Sequence, residues 1–132
     1  MGGHLLIVED DRDLRELLTV ALESEGHVVH TAENGVEALV RLQFEARPDV
    51  ILLNLVLPAM AGAEVLEAIR RDPRLDGVPI VLITGAPVPV EMGRAVDAVL
   101  AKPFGLDELL ETVEELLARR VPPAPTPPPM SL

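Results

Sequence analysis

The feature that most restricts the fold of this chain is a fivefold alternation of short apolar runs with helical patterns. The runs are His4–Val8, His27–Thr31, Val50–Leu53, Ile80–Ile83 and Ala98–Ala101. Most are unbroken aliphatic stretches rather than alternating ones, as expected of strands covered on both faces. Between them, apolar residues return at helical spacing. Leu14, Leu17, Leu18, Ala21 and Leu22 form one set; Val65, Leu66 and Ile69 a second; Leu106, Leu109, Leu110, Val113 and Leu117 a third. Val36, Leu39, Val40 and Ala46 mark a helix between the second and third runs. The helix near Val90–Val96 is the weakest, because Pro87, Pro89 and Gly93 oppose it. Such alternation predicts an α/β domain: a five-stranded parallel sheet, doubly wound, with helices on both faces.

At 132 residues and 48% hydrophobic composition the chain can bury one substantial core. After Arg120 the composition changes to VPPAPTPPPMSL, which holds six of the thirteen prolines. The expected organisation is a domain over 1–120 and an extended, proline-rich tail or linker over 121–132. Several function classes are disfavoured. A net charge of −11 opposes direct binding to nucleic acid or anionic lipid. With only Phe44 and Phe104 as aromatics, a base-stacking surface is not expected. The Arg70-Arg71 and Arg119-Arg120 pairs fall at helix ends and read as dipole partners. No run reaches membrane-spanning length, and no signal-peptide pattern opens the sequence, so a cytoplasmic protein is expected. The absence of cysteine excludes disulfides and thiolate metal sites. His27 and His30 are expected on opposite faces of a strand, with surface or strand-end roles, and His4 is remote.

The polar residues that follow the runs carry the functional signal. The first run leads into Glu9, Asp10 and Asp11, the third into Asn54, the fourth into Thr84 and the fifth into Lys102. In a parallel sheet these ends share one edge, the edge on which open α/β folds hold ligands. Adjacent carboxylates suit a hard divalent cation such as Mg2+. A hydroxyl and an ammonium opposite them suit phosphoryl oxygens. Lys102 is the single lysine beside ten arginines. Asp11 or Asp13 also fits the N-cap of the helix that starts there.

HLLIVEDDRDLRELL, PDVILLNLVLPAMAG, VPIVLITG and AKPF, in this order and spacing, resemble the receiver domains of two-component response regulators, over about His4–Arg119. The resemblance implies the flavodoxin-like strand order 2-1-3-4-5, with strands one and three adjacent. It implies that Glu9 and Asp10 bind Mg2+, joined by position 54 and by the backbone carbonyl of Val56. Lys102 and Thr84 would meet the phosphoryl group, and the Lys102-Pro103 bond would be cis. The phosphoryl donor would be a histidine kinase or phosphotransfer protein, and a homodimer through the helix 4–strand 5–helix 5 face is a further implied partner.

Two positions depart from the family pattern. Asn54 stands where the family carries its phosphate-accepting aspartate, and a carboxamide cannot form the acyl phosphate. It also removes a negative charge from the cation site, so Mg2+ binding is expected to weaken. The stretch AVDAVL places Val99 at the aromatic switch position and Ala95 at a usual glycine. Asn54 is either an engineered replacement or the residue of a natural pseudo-receiver. The expected function is a phospho-silent signalling module, not an enzyme. The alternative is a flavodoxin-like flavin or nucleotide binder, but EDDRD after the first run is unlike an anion-cradling loop. A haloacid-dehalogenase-type phosphatase would need two aspartates where Asn54-Leu55-Val56 stands.

Overall fold

A computed structural model describes residues 2–119. The expected proline-rich segment, 121–132, therefore lies outside the described residues. The elements run β1 (His4–Val8), α1 (Arg12–Ser24), β2 (Val28–Ala32), α2 (Gly35–Phe44), β3 (Val50–Asn54) and α3 (Gly62–Arg71). A short 3-10 turn (Pro73–Leu75) follows, then β4 (Ile80–Thr84), α4 (Val90–Arg94), β5 (Ala98–Ala101) and α5 (Leu106–Arg119). All strand pairs are parallel, and the sheet order is β2-β1-β3-β4-β5. The strands β1, β3 and β4 are central, and their aliphatic side chains are buried on both faces. That burial is why their sequences lack alternation.

The sheet divides the core in two. On one side Leu5, Ile7, Val50, Leu52, Val81 and Ile83 pack with Leu18 and Leu22 of α1 and Leu109, Val113 and Leu116 of α5. On the other Leu6, Val8, Ile51, Leu53 and Leu82 pack with Ala38 and Leu42 of α2 and Val65, Leu66 and Ile69 of α3. Successive residues of the central strands β1, β3 and β4 alternate between these clusters, so these strands tie both helix layers together.

Two sequence expectations need correction. The second strand starts at Val28, one residue later than its apolar run, because Gly26 takes φ 89° and closes the end of α1. His27 is consequently not a surface or strand residue but a buried joint. Its Nδ1 accepts from the Gly3 backbone N–H at 3.0 Å, and its Nε2 lies 2.9 Å from the Glu114 carboxylate. An Nδ1 that accepts leaves the ring proton on Nε2, which donates to Glu114 and fastens α5 to the chain start. On α2 the inner face is Gly35, Ala38 and Leu42, while Val36 and Val40 are half-exposed. A Cβ on Gly35 would meet Val65 Cγ2 at 2.5 Å, so close approach of α2 to α3 decides which face is buried. Leu17 and Leu106, counted with the apolar sets of α1 and α5, are also exposed.

Candidate functional site at the carboxyl edge of the sheet

Register brings the predicted residues to one edge. β1 and β3 are neighbours, with Val8 opposite Leu53, so Glu9 and Asp10 lie beside Asn54. The Glu9 backbone N–H donates to Ala32 O at 3.0 Å and extends the β1–β2 ladder, which carries the Glu9 side chain into the interior. Glu9 is fully buried, whereas Asp10 is exposed. Asp11 turns away from this corner to cap α1: its Oδ1 accepts from the backbone of Asp13 at 3.0 Å and Leu14 at 3.2 Å.

A buried carboxylate needs donors on both oxygens. Glu9 Oε1 accepts from Lys102 Nζ at 3.0 Å. Glu9 Oε2 accepts from Asn54 Nδ2 at 2.7 Å and from the Asp11 N–H at 3.3 Å. The same Asn54 Nδ2 donates to Asp10 Oδ1 at 3.1 Å, and Asn54 Oδ1 accepts from the Val56 N–H at 3.1 Å. This pattern fixes the amide orientation. Turned over, its oxygen would face two carboxylates and its NH2 would face an N–H.

Backbone packing holds Asn54 in place. Leu55 N–H donates to Ile83 O, and Gly62 N–H donates to Leu55 O at 3.0 Å. A Cβ at Gly62 would sit 2.5 Å from Leu55 O and 2.7 Å from Asn54 O, so only glycine lets α3 start this near the site. The β3–α3 loop also carries Ala59 at φ 67°, a left-handed conformation that costs a residue with a Cβ. Lys102 reaches the corner from the end of β5, where its backbone N–H donates to Thr84 O at 2.7 Å; the Lys102-Pro103 bond is cis.

The structure thus joins Glu9, Asp10, Asn54 and Lys102 by direct hydrogen bonds. Thr84 is adjacent and buried, but its hydroxyl is engaged with Ala86, accepting from its N–H at 2.9 Å and donating to its carbonyl at 3.2 Å. Val56 has an exposed side chain and enters the network only through its N–H. Arg15 is a participant that sequence reasoning missed. Its Nη1 donates to the carbonyls of Glu9 at 2.9 Å and Asp10 at 3.4 Å, which pins the acidic segment to α1. The available signal was its place one turn into the helix that follows the acidic run.

As arranged, the corner does not present a cation cage. Asn54 offers a donor, not an acceptor, to the acidic pair, and among the described residues no cluster of three His, Cys, Asp or Glu side chains could hold a metal ion. Beside it lies a groove of about 260 Å3 lined by Leu14, Leu17, Lys102, Pro103, Phe104 and Leu106.

Comparison with known proteins decides the family. The response regulator receiver domain model matches residues 5–114. The chain belongs to that family. This receiver domain is 38% identical over 123 residues to the DNA-binding response regulator MtrA of Mycobacterium tuberculosis, covering 90% of this chain and 52% of that protein. It thus spans about half the length of the curated relatives it matches. Among solved structures, the chemotaxis response regulator CheY4 of Vibrio cholerae superposes with a TM-score of 0.81 at 32% identity, covering 88% of this chain and 99% of that one. The receiver domain of the sensor histidine kinase PA1611 from Pseudomonas aeruginosa, solved with magnesium in its active-site cleft, gives 0.80 at 26% identity, covering 89% and 99%. Receiver domains bind Mg2+ in this cleft and interact with histidine kinases or phosphotransfer proteins. The matches lend no support to the flavin-binding alternative. No helix among the described residues is long and apolar enough to cross a membrane.

Proposed function

We propose that this receiver domain is phospho-silent and signals by binding, because Asn54 occupies the phosphoacceptor position. The observation that carries the reading is the Asn54 side chain itself, at the end of β3 and hydrogen-bonded to both Glu9 and Asp10. A carboxylate there would attack phosphorus and become an acyl phosphate; a carboxamide carries no anionic oxygen and its nitrogen lone pair is delocalised. The other residues that meet the cation and the phosphoryl group are retained, whereas Val99 replaces the aromatic switch residue. Glu9, Asp10, the side-chain oxygen of Asn54 and the Val56 carbonyl are the candidate holders of Mg2+, bound more weakly for want of the third carboxylate. When bound, that ion would neutralise charge developing on phosphoryl oxygens. Lys102 and Thr84 are the candidate contacts to those oxygens.

The domain acts as an interaction module in the cytoplasm and not as an enzyme. A histidine kinase or phosphotransfer protein is its proposed partner, with the apolar groove beside Lys102 available to seat it. A homodimer through α4, β5 and α5 is proposed on the exposed Val90, Val99 and Leu106 of those elements. The DNA binding in the relative's name belongs to that protein, and the acidic chain described above is not proposed to touch nucleic acid itself. The test is incubation with acetyl phosphate and Mg2+, read by intact mass. The protein should gain no phosphoryl group, whereas Asn54→Asp should gain one. A phosphoryl adduct on Asn54 would refute the reading.

A further inference from the structure

Among the described residues Glu9 is the only buried carboxylate, and an unpaired charge there would be costly. It is fully compensated from within the protein: an amide donor and a backbone N–H on one oxygen, an ammonium on the other. Asp10, the second carboxylate, shares the same amide donor and also faces water. With a carboxylate at position 54, three acidic groups would meet around one ammonium, and a divalent cation would relieve their repulsion. With the amide, the two remaining carboxylates have donors already.

We infer that the Asn54 amide is a built-in substitute for the metal ion, so that this receiver holds one closed site conformation whether or not Mg2+ is present. The inference deepens the reading of Asn54 given above and rests on it. Its physical content is a competition. For a cation to enter between Glu9 and Asp10, Asn54 must release both Nδ2 bonds and turn its oxygen inward. The turn also breaks the bond from the Val56 N–H and places the NH2 against that donor. Lys102 must also share Glu9 with the incoming charge. Losing the nucleophile and losing the metal response are therefore one event with one cause. The surface next to the site, including the groove at Lys102, is set by sequence and not by ion occupancy.

Thermal unfolding at constant ionic strength, with and without millimolar Mg2+, tests this. The unaltered protein should show a midpoint that Mg2+ moves by less than about 1 °C. Asn54→Ala, which removes the donor without adding a carboxylate, should melt lower and recover by several degrees in Mg2+. Asn54→Asp should be the most metal-responsive of the three, by about 5–10 °C if Mg2+ is well above its dissociation constant. A midpoint of the unaltered protein that rises with Mg2+ as much as that of Asn54→Ala overturns the inference. Should Asn54→Asp fail to fold without metal, the comparison with Asn54→Ala still decides. Phosphoryl uptake reports separately. Asn54→Asp that takes a phosphoryl group while the unaltered protein responds to Mg2+ sinks this inference and keeps the proposed function. The opposite pair of results does the reverse.

Discussion

The acidic corner and the α4–β5 edge sit on the same sheet and are built in opposite ways. At the corner, Glu9, Asn54 and Thr84 are buried, and side chains from the ends of β1, β3 and β5 interlock. At the edge, α4 is five residues long, has no buried residue, and begins at Pro89 without a side-chain cap. β5 buries one residue of four and leaves Val99 exposed. Leu100 packs into the core and β5 pairs along β4, and Arg70 adds a clamp across that edge. Arg70 donates to Ala95 O at 3.1 Å and Val78 O at 3.0 Å and pairs with Asp97, whose carboxylate accepts from Ile80 N–H at 2.8 Å. The difference shows where this domain spends its order. The chemical corner is fixed by many mutually satisfied donors, while the edge is held by its ladder to β4, by Leu100 and by the Arg70 clamp, and with so little of it buried it is expected to be the softer part.

Substitutions at the two places should separate them. The largest effect is expected from Gly62→Ala, which drives a Cβ into the carbonyls of Asn54 and Leu55. It should destabilise the fold by about 3 kcal/mol in urea titration, since backbone cannot yield as a side chain can. Lys102→Met removes the ammonium from a buried carboxylate; because the lysine is partly exposed, a loss of about 2 kcal/mol is expected. Arg70→Ala should cost about 1–2 kcal/mol but act locally. Hydrogen exchange should quicken in α4 and β5 and stay unchanged at Leu55 and Gly62. Equal loosening of both regions would erase the contrast.

Smaller effects come from the β3–α3 connection. Ala61 stands at the N-cap of α3 and makes no side-chain cap, so Ala61→Asp should stabilise by about 1 kcal/mol. The smallest effect is a pH dependence beyond α3. Hydrogen bonding to Arg74 holds the Asp72 carboxyl below its ordinary 3.8. A lowered value means that the pair stabilises the fold above pH about 3.8 and that this contribution fades as pH falls through the folded-state value. The Asp72→Asn variant should melt slightly below the unaltered protein near neutrality and converge with it as pH falls through the folded-state value of Asp72.

Much of this was readable in advance, for identifiable reasons. Central strands have unbroken aliphatic runs because both faces are covered, so β1, β3 and β4 were evident, and the residues just after them had to share an edge. The cis Lys102-Pro103 bond was foreseen through family resemblance and is present. What escaped depends on contacts distant in sequence. Val36, Leu39 and Val40 mark α2 by their spacing, but its inner face is not legible from them, because Gly35 and Ala38 are buried for being small enough to let α3 approach. His27 looked like a strand-end residue because its partners, Gly3 and Glu114, come from the two ends of the chain. The convergence of Glu9, Asp10, Asn54 and Lys102 is legible in the sequence, but not the direction of the Asn54 amide or the engagement of Thr84 with Ala86. Both follow from which donors and acceptors meet after folding.

The most direct measurement is on the Asn54 side-chain amide itself, by nitrogen-15 NMR with hydrogen exchange. Both its protons should be protected from exchange, because Nδ2 donates to Glu9 and to Asp10, and neither resonance should move as Mg2+ is added to millimolar levels. Rapid exchange of that amide with water, or a shift that tracks Mg2+, would show a cation entering where the amide is claimed to stand.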